Sequence, residues 1–178
     1  YYALDLSNRS NPVLKWTIVG GTSGFQDMGQ TWSRPILRKV KWDCDSSGEN
    51  CSTKEVLFFS AGYNIEHDTA TSVSDITNTQ GAAIYMVDAE TGTLLWSAGN
   101  NSTSSDTHDL NLTMEHSIPG DLTVADMDSD GAVDIIFGVD ILGHLWRIDI
   151  NSESQSASDF ATGGEIANLT DSNEFRRF

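Results

Sequence analysis

Positive charge is scarce in this chain: 10 lysines and arginines stand against 26 aspartates and glutamates, a formal net charge of -16 over 178 residues. A field of that sign repels phosphate, which argues against nucleic acid and anionic membranes as partners. Long hydrophobic runs are missing too. No apolar stretch approaches the roughly 20 residues of a membrane-spanning helix, and no signal-peptide pattern opens the chain. No segment carries a long helical stripe. Proline is rare, at three, whereas 15 glycines and five tryptophans fit strands joined by tight turns rather than a disordered chain. The length suffices for one domain with a sizeable core. The chain opens on Tyr1-Tyr2-Ala3-Leu4, already strand-like, so a fragment of something longer is expected and the missing signal does not argue for cytoplasm.

Cysteine is nearly absent. Cys44 and Cys51 bracket the polar stretch CDSSGENC. A disulfide closing so short and turn-rich a loop would staple a hairpin tip and imply an oxidising compartment. Two free thiols, or half of a metal site, are the alternatives.

What the chain does have is a concentration of acid between Asp126 and Asp134, reading DMDSDGAVD. Asp126, Asp128, Asp130 and Asp134 take the first, third, fifth and ninth places, from which side chains can converge on one cation; Ala132, in the seventh, can add its carbonyl. Gly131 sits sixth, where a sharp turn favours φ > 0. Val133 can anchor the loop to a strand. The twelfth residue is Phe137, not the bidentate Glu of an EF-hand, and the flanks LTVA and IIFGV are β-branched runs rather than helices. The expected element is a DxDxDG turn between strands. Two unit charges about 5 Å apart repel by roughly 3 kcal/mol at an effective dielectric of about 20, so four converging carboxylates splay or protonate without a cation. An Asx-rich turn capping its own amides is the plain alternative. An all-oxygen loop with a backbone ligand favours Ca²⁺ over Mg²⁺, with an affinity of about micromolar to millimolar.

A second pattern recurs along the chain. Residues 2–18, YALDLSNRSNPVLKWTI, run as strand, Asp5, turn, and a strand carrying Trp16. Residues 83–98 repeat the plan with Asp88, Thr91-Gly92 and Trp96, and GHLWRIDI (143–150) begins a third copy in which Asp149 takes the aspartate's place. In such a hairpin the Asp accepts turn amides and the Trp packs between sheets. Between the copies lie strands at ILRKVKW and KEVLFFS, and IIFGVD with HLWRIDI reads as a hairpin. Residues 66–79 and 98–117 read as loops, and beyond Asn151 the chain turns polar without closing the third copy. Recurring strand, turn, strand and loop describe four-stranded blades. The expected fold is therefore all-β, a partial β-propeller with about three blades of a larger quinoprotein-like ring, and residues 1–178 form a fragment of one such domain with its calcium loop at 126–134.

On GQTWSRP (29–35), FFSAGYN (58–64), AIYMVDAETGTLLW (83–96) and ADMDSDGAVDIIFGVDILGHLWRIDI (125–150), the sequence resembles the C-terminal propeller of the PilY family, proteins associated with assembly and the tip of bacterial type IV pili. The resemblance covers most of the chain in order. It implies calcium at Asp126, Asp128, Asp130, Asp134 and the Ala132 carbonyl. It also implies a bacterial surface protein, at the pilus tip or outer membrane, that supports pilus extension and retraction, twitching motility and adhesion. Pilins or minor pilins are the implied partners, with host or abiotic surfaces beyond them. The variable adhesive module of the family is not in this chain, and no RGD tripeptide occurs.

Two rivals share the hairpin. Quinoprotein dehydrogenase propellers would show adjacent cysteines over a cofactor and an acidic base near calcium; here the cysteines are spread and the acids lie in one linear loop. Integrin-like FG-GAP propellers carry such loops once per blade, and one loop occurs here. No G-x-S-x-G, Walker or GxGxxG pattern occurs, and His67, His108, His116 and His144 lack zinc spacing. Those histidines are expected on solvent-facing loops or strands. No catalytic residue is expected, and the chain is read as a non-enzyme.

Overall fold

A computed structural model describes residues 1–48, 50–72, 80–154 and 156–169. Along these run β1 (Tyr2–Asp5), β2 (Val13–Thr17), β3 (Ile36–Trp42), β4 (Ser52–Ser60), β5 (Ile84–Asp88), β6 (Leu94–Gly99), β7 (Leu110–Asn111), β8 (Thr123–Ala125), β9 (Ile135–Val139), β10 (His144–Ile150) and β11 (Ala161–Asn168). They form three separate sheets, in the orders β1-β2, β3-β4-β5-β6-β7 and β11-β10-β9-β8. The β6–β7 pair is parallel and the other pairs are antiparallel. Among the described residues no helix is long and apolar enough to cross a membrane.

The chain is all-β, but the propeller expected from the repeat is not what it builds. None of the three sheets closes, and the copies have different surroundings. The first stands as a two-stranded ribbon, the second lies inside a five-stranded sheet, and the third belongs to a four-stranded one. The physical reason is that the repeated residues encode a turn, which is local, whereas closure depends on strand partners that a turn does not specify.

That turn chemistry is visible in the second copy. Asp88 Oδ1 accepts the amides of Glu90 and Thr91 at 2.9 and 3.0 Å, and Gly92 bends the chain back with φ 72°. Asp5 does the same for the Ser7 amide at 2.8 Å. The third copy departs from the pattern. Asp149 pairs with Arg147 at 2.7 Å, and Asn151 takes over as the turn acceptor, from Glu153 at 3.1 Å. Its second strand also exists: β11 pairs along the length of β10, where the polar sequence promised only a tail. Phe160 and Ala161, both buried, anchor it, and a Cβ on Gly163 would stand 2.5 Å from the Arg147 carbonyl oxygen, so the approach requires glycine.

The main core lies between the five- and four-stranded sheets. Val40, Val56, Phe58, Ile84, Met86 and Trp96 face Val124, Ile136, Trp146 and Ile148. On the other side of the larger sheet, Phe59, Tyr85 and Val87 pack on Ile18, Phe25 and Met28, with Tyr1 and Trp16 partly buried beside them. Strand β5 is covered on both faces, which explains why Ile84 to Val87 form an unbroken apolar run rather than an alternating one. The reading of 66–79 as a loop holds in part: Ile65–Thr69 is a short 3-10 turn, and 73–79 lie outside the described residues. The loop expected at 98–117 contains the end of β6 and all of β7.

Candidate metal site

Residues 126–134 connect β8 to β9, as the flanking β-branched runs predict. The neck is closed by Asp134 N donating to Ala125 O at 3.0 Å, and Ile150 N donates to Asp134 O at 2.8 Å. Val133, buried in the main core, holds the loop's base. The tip turns twice through the left-handed region, at Gly131 (φ 90°) and also at Ser129 (φ 66°), which nothing in its residue type announced.

Asp126, Asp128 and Asp130 each present a carboxylate oxygen within 4.8 Å of the others. Their conformations are fixed from below by amides. Asp126 accepts from Ser129 at 2.7 Å and Gly131 at 2.9 Å, Asp128 from Asp130 at 3.0 Å, and Asp130 from Ala132 at 2.8 Å. Each carboxylate oxygen has two acceptor directions, so these bonds do not exhaust the donor set. Asp134 lies outside that group and accepts the Met127 amide at 2.5 Å, while Ala132 is buried and contributes its amide to Asp130.

Lys41, on β3, places its ammonium 2.7 Å from Asp130 Oδ2. Its pKa is raised above the ordinary lysine value, chiefly by the bond to Asp130, and that of Asp130 is lowered, first by Lys41 and then by the Ala132 amide. Val133 N donates to Lys39 O at 2.9 Å, so the loop rests on the β3 edge. Sequence reasoning missed Lys41; the available signal was a pair of lysines in ILRKVKW within an otherwise acidic chain.

The residues fit a hard divalent ion. Oxygens on opposite sides of Ca²⁺ stand on the order of 5 Å apart, twice a 2.3–2.6 Å bond, and the donor set is all oxygen. An ammonium already stands beside one of the three carboxylates, so a cation is accommodated there.

Cys44 and Cys51 form a disulfide, with Cα atoms 3.9 Å apart, across the tip of the β3–β4 hairpin. Within it Asp45 is held down to about pKa 2, first by the Ser47 hydroxyl and then by Asn50.

The expected exposure of the histidines fails for three of the four. His67, His108 and His116 are buried. His108 Nε2 meets Asp27 Oδ2 at 3.0 Å and its Nδ1 meets Ser97 Oγ at 3.0 Å, and the Ser104 hydroxyl also bonds to Asp27. Burial works to raise the Asp27 pKa, but the bonds from His108 and Ser104 outweigh it and hold the carboxyl below its ordinary value. This buried knot ties the segment before β3 to the β6–β7 connection. His144 Nδ1 meets the buried Asp140 at 2.7 Å, and its ring stacks on His116 with centroids 5.2 Å apart.

No family model matches the chain. The type IV pilus biogenesis factor PilY1 of Pseudomonas aeruginosa, in each of two strains, is 25% identical over 152 residues. The chain is similar to PilY1. The match covers 84% of this chain and 10% of PilY1, so the chain spans about a tenth of the relatives' length. The crystal structure of the P. aeruginosa PilY1 C-terminal domain superposes with a TM-score of 0.55 at 22% identity, covering 92% of this chain and 29% of that one. The two chains share a fold over that span.

Proposed function

We propose that this chain is a calcium-binding β-domain of a type IV pilus biogenesis protein at the bacterial surface. Calcium is held by Asp126, Asp128, Asp130, the Ala132 carbonyl and Asp134. The observation that carries the reading is the convergence of three carboxylates within 4.8 Å on one strand-to-strand bend. Similarity to PilY1, a type IV pilus biogenesis factor, supports the pilus context, and the disulfide suits an oxidising, extracellular location. Bound calcium supplies two positive charges to a loop of four acids. The chain's own residues do the rest: amides lock the carboxylates in place, Val133 fixes the base in the core, and the neck at Ala125 and Asp134 passes the loop's rigidity to β8 and β9. The face so fixed is offered to pilins or minor pilins, in support of extension, retraction, twitching and adhesion.

The test is thermal unfolding of the purified chain with and without calcium. At a concentration 100 times Kd, linkage stabilises by about 2.7 kcal/mol, or roughly 5–10 °C for a chain of this size. The double variant Asp126→Ala/Asp134→Ala should keep the apo fold and lose the shift. Equal stabilisation of variant and wild type would remove the assignment.

A further inference from the structure

The geometry points to Lys41 as a resident counter-cation of the aspartate loop, one that must withdraw for a divalent ion to bind. The inference rests on the calcium reading and adds its regulation: loading becomes an exchange of one cation for another, not the filling of a bare acidic bend.

Three observations carry it. First, Lys41 Nζ stands 2.7 Å from Asp130 Oδ2, on one of the three carboxylates that converge. An ammonium and a divalent ion both drawn to that carboxylate repel each other across it, so holding one weakens the hold on the other. Second, the placement of Lys41 is built in. It comes from the five-stranded sheet, whereas the loop belongs to the four-stranded one, and the Val133 amide is bonded to the Lys39 carbonyl two residues away. Val40 and Trp42, buried on either side, hold that part of β3 in the core while Lys41 points the opposite way. Third, the lysine side chain is 37% exposed and borders solvent, so it can leave without moving the strand. Lysine suits this role: a point charge on a flexible stem gives up a single oxygen more readily than a forked guanidinium would.

The pair therefore lowers calcium affinity and sets the concentration at which the loop loads. The experiment is calorimetric titration of the purified wild-type chain, Lys41→Met and Lys41→Arg with calcium chloride, each first shown by circular dichroism to fold. Lys41→Met should bind about two- to fivefold more tightly than wild type, the span measured for exposed ion pairs. Lys41→Arg, which keeps the charge, should stay within about twofold of wild type on the same scale. A silent wild type with a binding Lys41→Met variant also supports the exchange. If wild type binds and Lys41→Met binds equally or more weakly, the role of Lys41 is overturned and the calcium reading stands. If neither binds at millimolar calcium, both fall.

Discussion

Phe160 offers the sharpest test of the part of the fold that its sequence conceals. Its side chain has no exposed surface, and its ring lies 5.3 Å from that of Trp42 and 5.5 Å from that of Trp96, centroid to centroid. Those tryptophans belong to β3 and β6, so Phe160 wedges the start of β11 against the five-stranded sheet. Phe160→Ala removes a fully buried ring and both aromatic contacts. Buried Phe→Ala changes cost about 3–5 kcal/mol, a figure that already includes pairs worth about 0.5–1.5 kcal/mol each. The expected loss is about 4 kcal/mol, or roughly 8–16 °C in Tm for a domain of this length. Phe160→Leu, which keeps most of the volume, should lose about 1.5 kcal/mol or less. Urea unfolding followed by tryptophan fluorescence reads the energy, and amide exchange on β10 and β11 reads the place. A loss below about 1 kcal/mol for Phe160→Ala, with β11 amides unprotected in wild type, would show that the four-stranded sheet stops at β10.

Two further outcomes are expected. Asp27 has a lowered pKa in the fold, so the stability it contributes is complete above the unfolded value near pH 4 and is lost as pH falls through its lower folded value. Urea midpoints measured from pH 6 down to pH 2.5 should therefore fall more steeply for wild type than for Asp27→Asn; parallel curves would refute the buried Asp27–His108 knot. Replacing Cys44 and Cys51 together by serine should cost about 2 kcal/mol, the chain entropy of so short a closed loop, and a reductant should have the same effect on wild type and none on the variant.

Legibility in the sequence followed locality. The bend at 126–134 could be read because its acids, glycine and flanking strands are contiguous, and the hairpins at 84–99 and 135–150 because Asp-capped turns and apolar runs sit side by side. Strand β11 could not, because ATGGEIAN lacks alternation and sets a glycine pair between its only two β-branched residues, Thr162 and Ile166. Its place is set by backbone pairing with β10 and by one buried phenylalanine. His108 looked like a loop histidine because its partner Asp27 lies far up the chain, and the pairing of Lys41 with Asp130 was hidden for the same reason. The propeller expectation failed at the same boundary. A recurring turn is a local fact, whereas the strands that flank each copy are chosen by distant residues.

The seating of the aspartate loop on β3 has a consequence for self-association. Strand β3 is the outer strand of a five-stranded sheet, and a bare strand edge is a template on which a second molecule can add its own strand. Here the Lys39 carbonyl on that edge is already spoken for by the Val133 amide, and lysines and an arginine line the same strand. The loop that gathers the acids is thus also a guard rail, keeping neighbouring copies from zipping together along β3.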